Sequence, residues 1–315
     1  MSNLFTVGWY LTMITVGFLG FGEVAAVFSA GLRQRGVTVA AYDIVLDARP
    51  GGLQSLQQRT RVDGIAFCTL PDLLRRVDYV LSTVTSDVAL LAAQSCVPHL
   101  QPDQVYVDLN ATAPRVKRAI AQLLSPTGAR FVEGAILGAV GVSGAQTRVL
   151  LGGPHGRQTA SDLTGLGLNT VFYHPEIGRA STFKLLRSVF SKGLEALLLE
   201  FLLAGHRADI QDDLWGEVRE LFTSHSFDQV ASNWIRSHTV AYERRQHEML
   251  QVLELLHELD VEPVMSAATN AFFERSKALR LKEGFTDKPD RIDDVIAALD
   301  ARLARTSHQG DGPSD

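Results

Sequence analysis

The sequence predicts an α/β domain built on a mostly parallel sheet, followed by an all-α carboxy-terminal domain. Three observations carry this reading. Short apolar strands alternate with helical segments through the first 175 or so residues, a glycine-rich turn joins the first strand to the first helix, and helical periodicity runs almost unbroken from Ala180 onward. At 315 residues the chain exceeds what a single core usually holds, which also favours two domains.

Taken in order, Met1 to Gly22 carries no charge and is long enough to resemble a membrane span. It lacks the basic segment that opens a secretory leader, contains glycines at 8, 17, 20 and 22, and is followed at once by Glu23. It is therefore read as a strand and turn, with residues 1–12 as a flexible extension and Met13 as an alternative start. "EVAAVFSAGLRQRG" reads as a helix closing on Gly36, and "VTVAAYD" as a β-branched strand. "VDYVLSTV", "QVYVDLN", "ARFVEGAI" and "RVLLGG" are further strands, and "VFYHPEIG" is the last, with His174 at its end. The helical runs are "ASTFKLLRSVFSKGLEALLLEFLLAGHRA", "DLWGEVRELFTS", "DQVASNWIRSHTVAYERRQHEMLQVLELLHELD", "VMSAATNAFFERSKALRLKEG" and "RIDDVIAALDARLAR". The polar tail 306–315 is expected to be disordered.

Composition narrows the function. Hydrophobic residues make up 46% and charged residues 21%, the balance of a soluble globular protein. A net charge of −5 without a long basic run argues against a nucleic-acid partner. The two cysteines, Cys68 and Cys96, lack CxxC spacing and a histidine cluster, so they read as small buried residues; no metal site is expected, and a reduced cytoplasmic setting fits.

The turn Gly20-Phe21-Gly22-Glu23-Val24-Ala25 fits GxGxxA between strand "ITVGFL" and a helix. The first glycine permits the tight turn, the second removes a Cβ where a pyrophosphate approaches, and Ala25 keeps helix and strand close. Free N–H groups at the helix start then meet the phosphate. Asp43 ends the next strand about 20 residues on, where a carboxylate accepts hydrogen bonds from the adenosine ribose. The cofactor read from this pattern is NAD; Arg49 nearby leaves NADP possible. Residues 13–177 are thus read as a Rossmann dinucleotide-binding domain, and 178–305 as a helical domain.

Four blocks resemble the β-hydroxyacid dehydrogenase superfamily, the group of 6-phosphogluconate and 3-hydroxyisobutyrate dehydrogenases: "GFLGFGEVA", "VYVDLNATAP", "FVEGAILGAVGVSGAQTRVLLGGP" and "IGRASTFKLLRS". "HTVAYERRQHEM" and "VEPVMSAA" are most similar to a phosphogluconate-dehydrogenase-like bacterial branch with its own carboxy-terminal domain. The resemblance implies that Lys184 is the catalytic lysine, that Gly20, Gly22 and Asp43 hold the dinucleotide, that Val84 and Thr85 lie along its nicotinamide half, and that Asn110 sits near the nicotinamide ribose. It also implies that 178–305 is the substrate and dimerisation domain, through whose helices two chains pair. The departures are Ser188 in place of the usual asparagine, Leu137-Gly138-Ala139 in place of a serine and two glycines that grip a carboxylate, and Ser191 in place of the sugar-phosphate enzymes' glutamate.

On a helical projection of 180–206, Ser181, Lys184, Ser188, Ser191 and Glu195 fall within about 60° of one direction, on a helix otherwise mostly apolar. Such a stripe reads either as a solvated face or as the lining of a cleft. A lysine partly stripped of water beside a cationic ring loses proton affinity and can take an alcohol's proton as hydride leaves carbon. Ser188, one turn on, could bond the same substrate oxygen; Lys192 points about 80° away and ranks behind. Leu137, Gly138, Ser181 and the helical face His238, Tyr242 and Arg245 are substrate candidates, although the last three also read as a surface face beside an Arg244–Glu248 pair. The expected function is hydride transfer between nicotinamide and a secondary alcohol or ketone; imine reduction in the same cleft and a non-catalytic dinucleotide sensor are the alternatives.

Overall fold

The computed structural model describes residues 14–48, 51–60 and 64–309. The expected extension 1–12, Met13, Arg49 and residues 310–315 lie outside them. The chain divides into two compact units between Val189 and Phe190.

In the first unit the order is β1 (Thr15–Leu19), α1 (Glu23–Gln34), β2 (Thr38–Tyr42), α2 (Val45–Ala48), α3 (Gly52–Thr60), β3 (Ala66–Phe67), α4 (Leu70–Arg76), β4 (Tyr79–Ser82), α5 (Ala89–Cys96) and β5 (Val105–Asp108). There follow α6 (Pro114–Leu124), β6 (Arg130–Leu137), α7 (Val140–Ser143), β7 (Arg148–Gly152), α8 (Gly156–Gly165) and β8 (Thr170–His174). The eight strands form one sheet in the order β3-β2-β1-β4-β5-β6-β7-β8, antiparallel only between β6 and β7. The strand order therefore reverses at β1, between β2 and β4, and the register brings the ends of all three together: Leu19 lies beside both Tyr42 and Ser82. Crevices at such reversals are where open α/β sheets bind ligands.

Strand alternation supplies a core on each face. On one side Val105, Val107 and Val132 pack with Phe28 and Leu32 of α1 and Leu163 of α8. On the other, Tyr106 and Phe131 pack with Leu73 of α4, Cys96 of α5 and Ile120 of α6. Burial pushes the Cys96 thiol up to about 12, and Cys68 is also a free thiol. The helix α1 ends where Gly36 turns left-handed at φ +79°, the backbone conformation its glycine permits. Strand β3 was not expected; two residues on a sheet edge are too few to show a pattern.

The helix α9 (Arg179–Arg207) begins in the first unit, and α10 (Gln211–Ser224), α11 (Phe227–Glu258), α12 (Val264–Ala278) and α13 (Ile292–Gln309) follow in the second. Ser226 and Gln229 close a reciprocal capping box at the start of α11. Glu200 of α9 accepts from the backbone of Met265 (2.7 Å) and Ser266 (2.9 Å) and so caps α12. The run expected as one helix from Val264 stops at Ala278, because Arg280 adopts φ +50° and a short 3₁₀ turn follows. The last helix runs to Gln309, four residues into the segment expected to be disordered.

Candidate active site

The turn after β1 is fixed from both sides. Gly20 sits at φ +80°, and a side chain there would begin 2.7 Å from Val84 Cγ1 and 3.2 Å from the Thr83 backbone. Its N–H donates to Tyr42 O (2.8 Å), and its carbonyl accepts from Thr83 Oγ1 (2.7 Å). Gly22 is the N-cap of α1 with extended backbone, and a Cβ at that position would meet nothing within 4 Å. Asp43 accepts from Phe21 N (2.8 Å) through one carboxylate oxygen and from Val45 N (3.0 Å) through the other. Each oxygen keeps a further lone pair.

A cavity of about 900 Å³ opens over this turn. Its walls come from Leu19 to Glu23, from Tyr42 to Val45 and from Thr83 to Thr85, closed by Leu91, Ala92 and Ser95 on the α5 side. Of the proposed cofactor residues, Gly20, Phe21, Gly22, Glu23, Asp43, Val84 and Thr85 line it. The Phe21 ring itself is buried against Phe18 and Phe67, so that residue offers its backbone. Val24 is not among the lining residues and packs against the core. Size and donor set fit a dinucleotide: open space over Gly22, the unpaired N–H groups of a helix start, and a carboxylate at the end of β2.

Asn110 is buried just after β5, where its amide donates to Ser82 Oγ (2.9 Å), the residue before the Thr83 of the cavity wall. Lys184 is half-buried on α9, and desolvation first, then the neighbouring Lys117 charge, hold its pKa below the ordinary lysine value. Ser188 donates to the Lys184 carbonyl (3.0 Å), which leaves its oxygen lone pairs for another partner. The Ser181 hydroxyl is engaged internally, with Glu133 Oε2 and Gly178 O at 3.0 Å each. Leu137 ends β6 and packs beside Ala135, Leu150 and Ala180; Gly138 follows at φ +122°. In the second unit His238 and Tyr242 are buried, with His238 Nε2 2.8 Å from Ser276 Oγ and its ring against Phe272 and Phe273. Burial, then Arg245, depresses the His238 pKa, while Arg245 itself donates to Ser237 Oγ (2.7 Å). These three are thus held by helix packing within their own unit. Lys192 pairs with Glu195 on the surface.

Two groups escaped the sequence reading. Glu133 is fully buried on β6 and caps α9, accepting from Gly178 N (2.7 Å) and Ala180 N (3.0 Å) as well as from Ser181. Lys117 is fully buried on α6 and paired with Asp108 at 3.0 Å. A signal for Lys117 existed: it shares an i, i+3, i+7 stripe with buried Ile120 and Leu124, a core position for a charged residue. Among the described residues, no group of His, Cys, Asp or Glu is arranged to hold a metal, and no helix is long and apolar enough to cross a membrane.

The NAD binding domain of 6-phosphogluconate dehydrogenase matches residues 15–162, and a domain of unknown function, DUF1932, matches 205–276. The conserved protein MTH1747, whose structure is similar to 3-hydroxyacid dehydrogenases, is 33% identical, with 85% of this chain and 99% of its own covered at a TM-score of 0.56. The chain belongs to the β-hydroxyacid dehydrogenase-like superfamily. Its amino-terminal domain is an NAD(P)-binding domain of the dehydrogenase and reductase type. A conserved hypothetical protein from Sinorhizobium meliloti 1021 is 28% identical over 93% of this chain and 97% of its own, at a TM-score of 0.58. An imine reductase from Aspergillus terreus shares the superfamily fold, with a TM-score of 0.68 at 14% identity over 85% of this chain and 94% of its own.

Proposed function

We propose that this superfamily member transfers hydride between nicotinamide and a secondary alcohol or its ketone, with Lys184 as general acid and base. The observation that carries the reading is the half-buried Lys184 amine, whose proton affinity is lowered by burial and by Lys117. In the binding mode proposed, the backbone at Gly20 to Glu23 takes the diphosphate and Asp43 the adenosine ribose. Val84, Thr85 and Asn110 follow the nicotinamide half. Bound, nicotinamide supplies the hydride acceptor or donor. Neutral Lys184 Nζ takes the hydroxyl proton during oxidation, and the ammonium returns it to the carbonyl oxygen during reduction. The Ser188 hydroxyl steadies that oxygen from one turn along the helix.

Leu137-Gly138-Ala139 offers no side-chain donor for a substrate carboxylate, which supports a less polar substrate and keeps imine reduction as the second reading. The fold shared with an imine reductase supports that reading too. NAD is the proposed cofactor, with NADP the alternative. The protein is proposed to act in the cytoplasm, where its two free cysteines stay reduced, and as a homodimer through its helical domain.

A panel of hydroxyacids, sugar acids, amino alcohols and cyclic imines, followed by reduced-nicotinamide absorbance, tests the reaction. Lys184→Ala should cut turnover about 10²–10⁴-fold while leaving dinucleotide affinity nearly unchanged. Undiminished turnover in that variant removes Lys184 from the chemistry. Dinucleotide binding with no turnover across the panel favours a sensor. Asp43→Ala should narrow the preference for NAD over NADP, and equal discrimination before and after would exclude its ribose role.

A further inference from the structure

Lys117 acts on the proposed chemistry only through its charge, which lowers the proton affinity of Lys184, yet it is wholly enclosed. Its ammonium donates to Asp108 O and Asn110 O, both at 2.8 Å, and reaches Gly134 O at 3.4 Å, besides pairing with the Asp108 carboxylate. A buried ion pair returns little more than the desolvation it costs, so packing alone does not account for it. What an ammonium adds over an apolar side chain is three N–H donors that can point three ways. Here they join two backbones: the turn after β5, which carries Asn110, and β6 at the residue following Glu133, the cap of α9.

We propose that Lys117 is a positioning residue: its ammonium bolts the Asp108–Asn110 turn to β6 and thereby holds Asn110 in place for the nicotinamide half of the dinucleotide. This rests on the cofactor reading above, in which Asn110 lies along that half. The Asn110 amide has no freedom of its own to compensate, since it already donates to Ser82 Oγ and Asp108 Oδ1. Without the bolt, the β5–β6 ladder still pairs Asp108 with Glu133, but the turn beyond it loses its tie to Gly134.

The test compares binding of NADH and of ADP, which lacks the nicotinamide half, by calorimetry, together with the fluorescence of bound NADH. Lys117→Met should weaken NADH about tenfold, reduce its bound-state fluorescence enhancement, and leave ADP within about twofold. Asn110→Ala should do the same, and the two changes together should cost no more than either alone, because one acts through the other. Lys117→Met with Asp108→Asn removes both charges, avoids a carboxylate buried without its cation, and should repeat the NADH-selective loss. Additive losses, equal weakening of NADH and ADP, or no loss would overturn the proposal. If the unaltered protein binds NADH no better than ADP, the cofactor geometry itself fails and the proposal falls with it; normal discrimination that survives Lys117→Met defeats the proposal alone.

Discussion

At the scale of single residues, the two motif glycines make opposite demands. Gly20 is required by the fold: its φ of +80° and the 2.7 Å approach to Val84 leave no room for a side chain. Gly20→Ala should therefore lower stability by about 1–3 kcal/mol, read by chemical denaturation. Gly22 is not required by the fold, since its backbone is extended and the space beyond its Cα is empty. Gly22→Ala should leave stability within about 0.5 kcal/mol and still weaken dinucleotide binding more than tenfold, because the new methyl enters the diphosphate site. A Gly22→Ala protein that binds as tightly as the parent would move the phosphates elsewhere. These positions were legible in the sequence because a turn's steric needs are local. Glu133 was not read, because nothing local says that it is fully enclosed; for Lys117 the stripe shared with Ile120 and Leu124 marks a core position, but not which elements close over it.

At the scale of the element, α9 owes its place to Glu133. One carboxylate supplies acceptors for three N–H groups that open the helix, those of Gly178, Ala180 and Ser181, and for the Ser181 hydroxyl. Glu133→Gln keeps the volume but turns a donor toward donors, and should cost about 2 kcal/mol in denaturant unfolding. A loss below a few tenths would mean the cap is idle. The same helix holds Lys184 half out of water, and that sets the sign of the pH dependence. Its pKa lies below the ordinary lysine value, so alcohol oxidation should rise with pH through a midpoint below that value, as the neutral base accumulates. Carbonyl reduction should fall across the same window, and both inflections should vanish in Lys184→Ala. The periodicity of 180–206 showed the helix and its polar stripe; it could not show that Ser181, on that stripe, turns to Glu133 on β6.

At the scale of the whole molecule, the apolar surface of the unit from Phe190 onward argues for a second copy of this chain. Seven apolar residues are buried there among the described ones, Val230, Tyr242, Leu256, Val261, Leu279, Leu281 and Val295. Far more large apolar side chains are exposed, including Leu199 at 66%, Phe227 at 56% and Phe190 at 55%. Scattered exposed leucines are ordinary, but these are not all scattered. Phe190, Phe227, Phe222 and Trp234 form a continuous run of ring contacts, each within 6.4 Å of the next, and all four are more than a third exposed. Leaving such a surface in water forfeits about 25 cal/mol for each Å² that a partner would cover. A self-complementary pairing is the commonest way for a soluble chain to cover it. Light scattering at micromolar protein should therefore give twice the chain mass. Phe190→Glu with Phe227→Glu, which puts two carboxylates into the aromatic run, should shift the protein toward monomer and lower its melting temperature as the exposed helices lose their cover. A parent protein that is monomeric at that concentration, with a melting temperature independent of dilution, would refute the pairing.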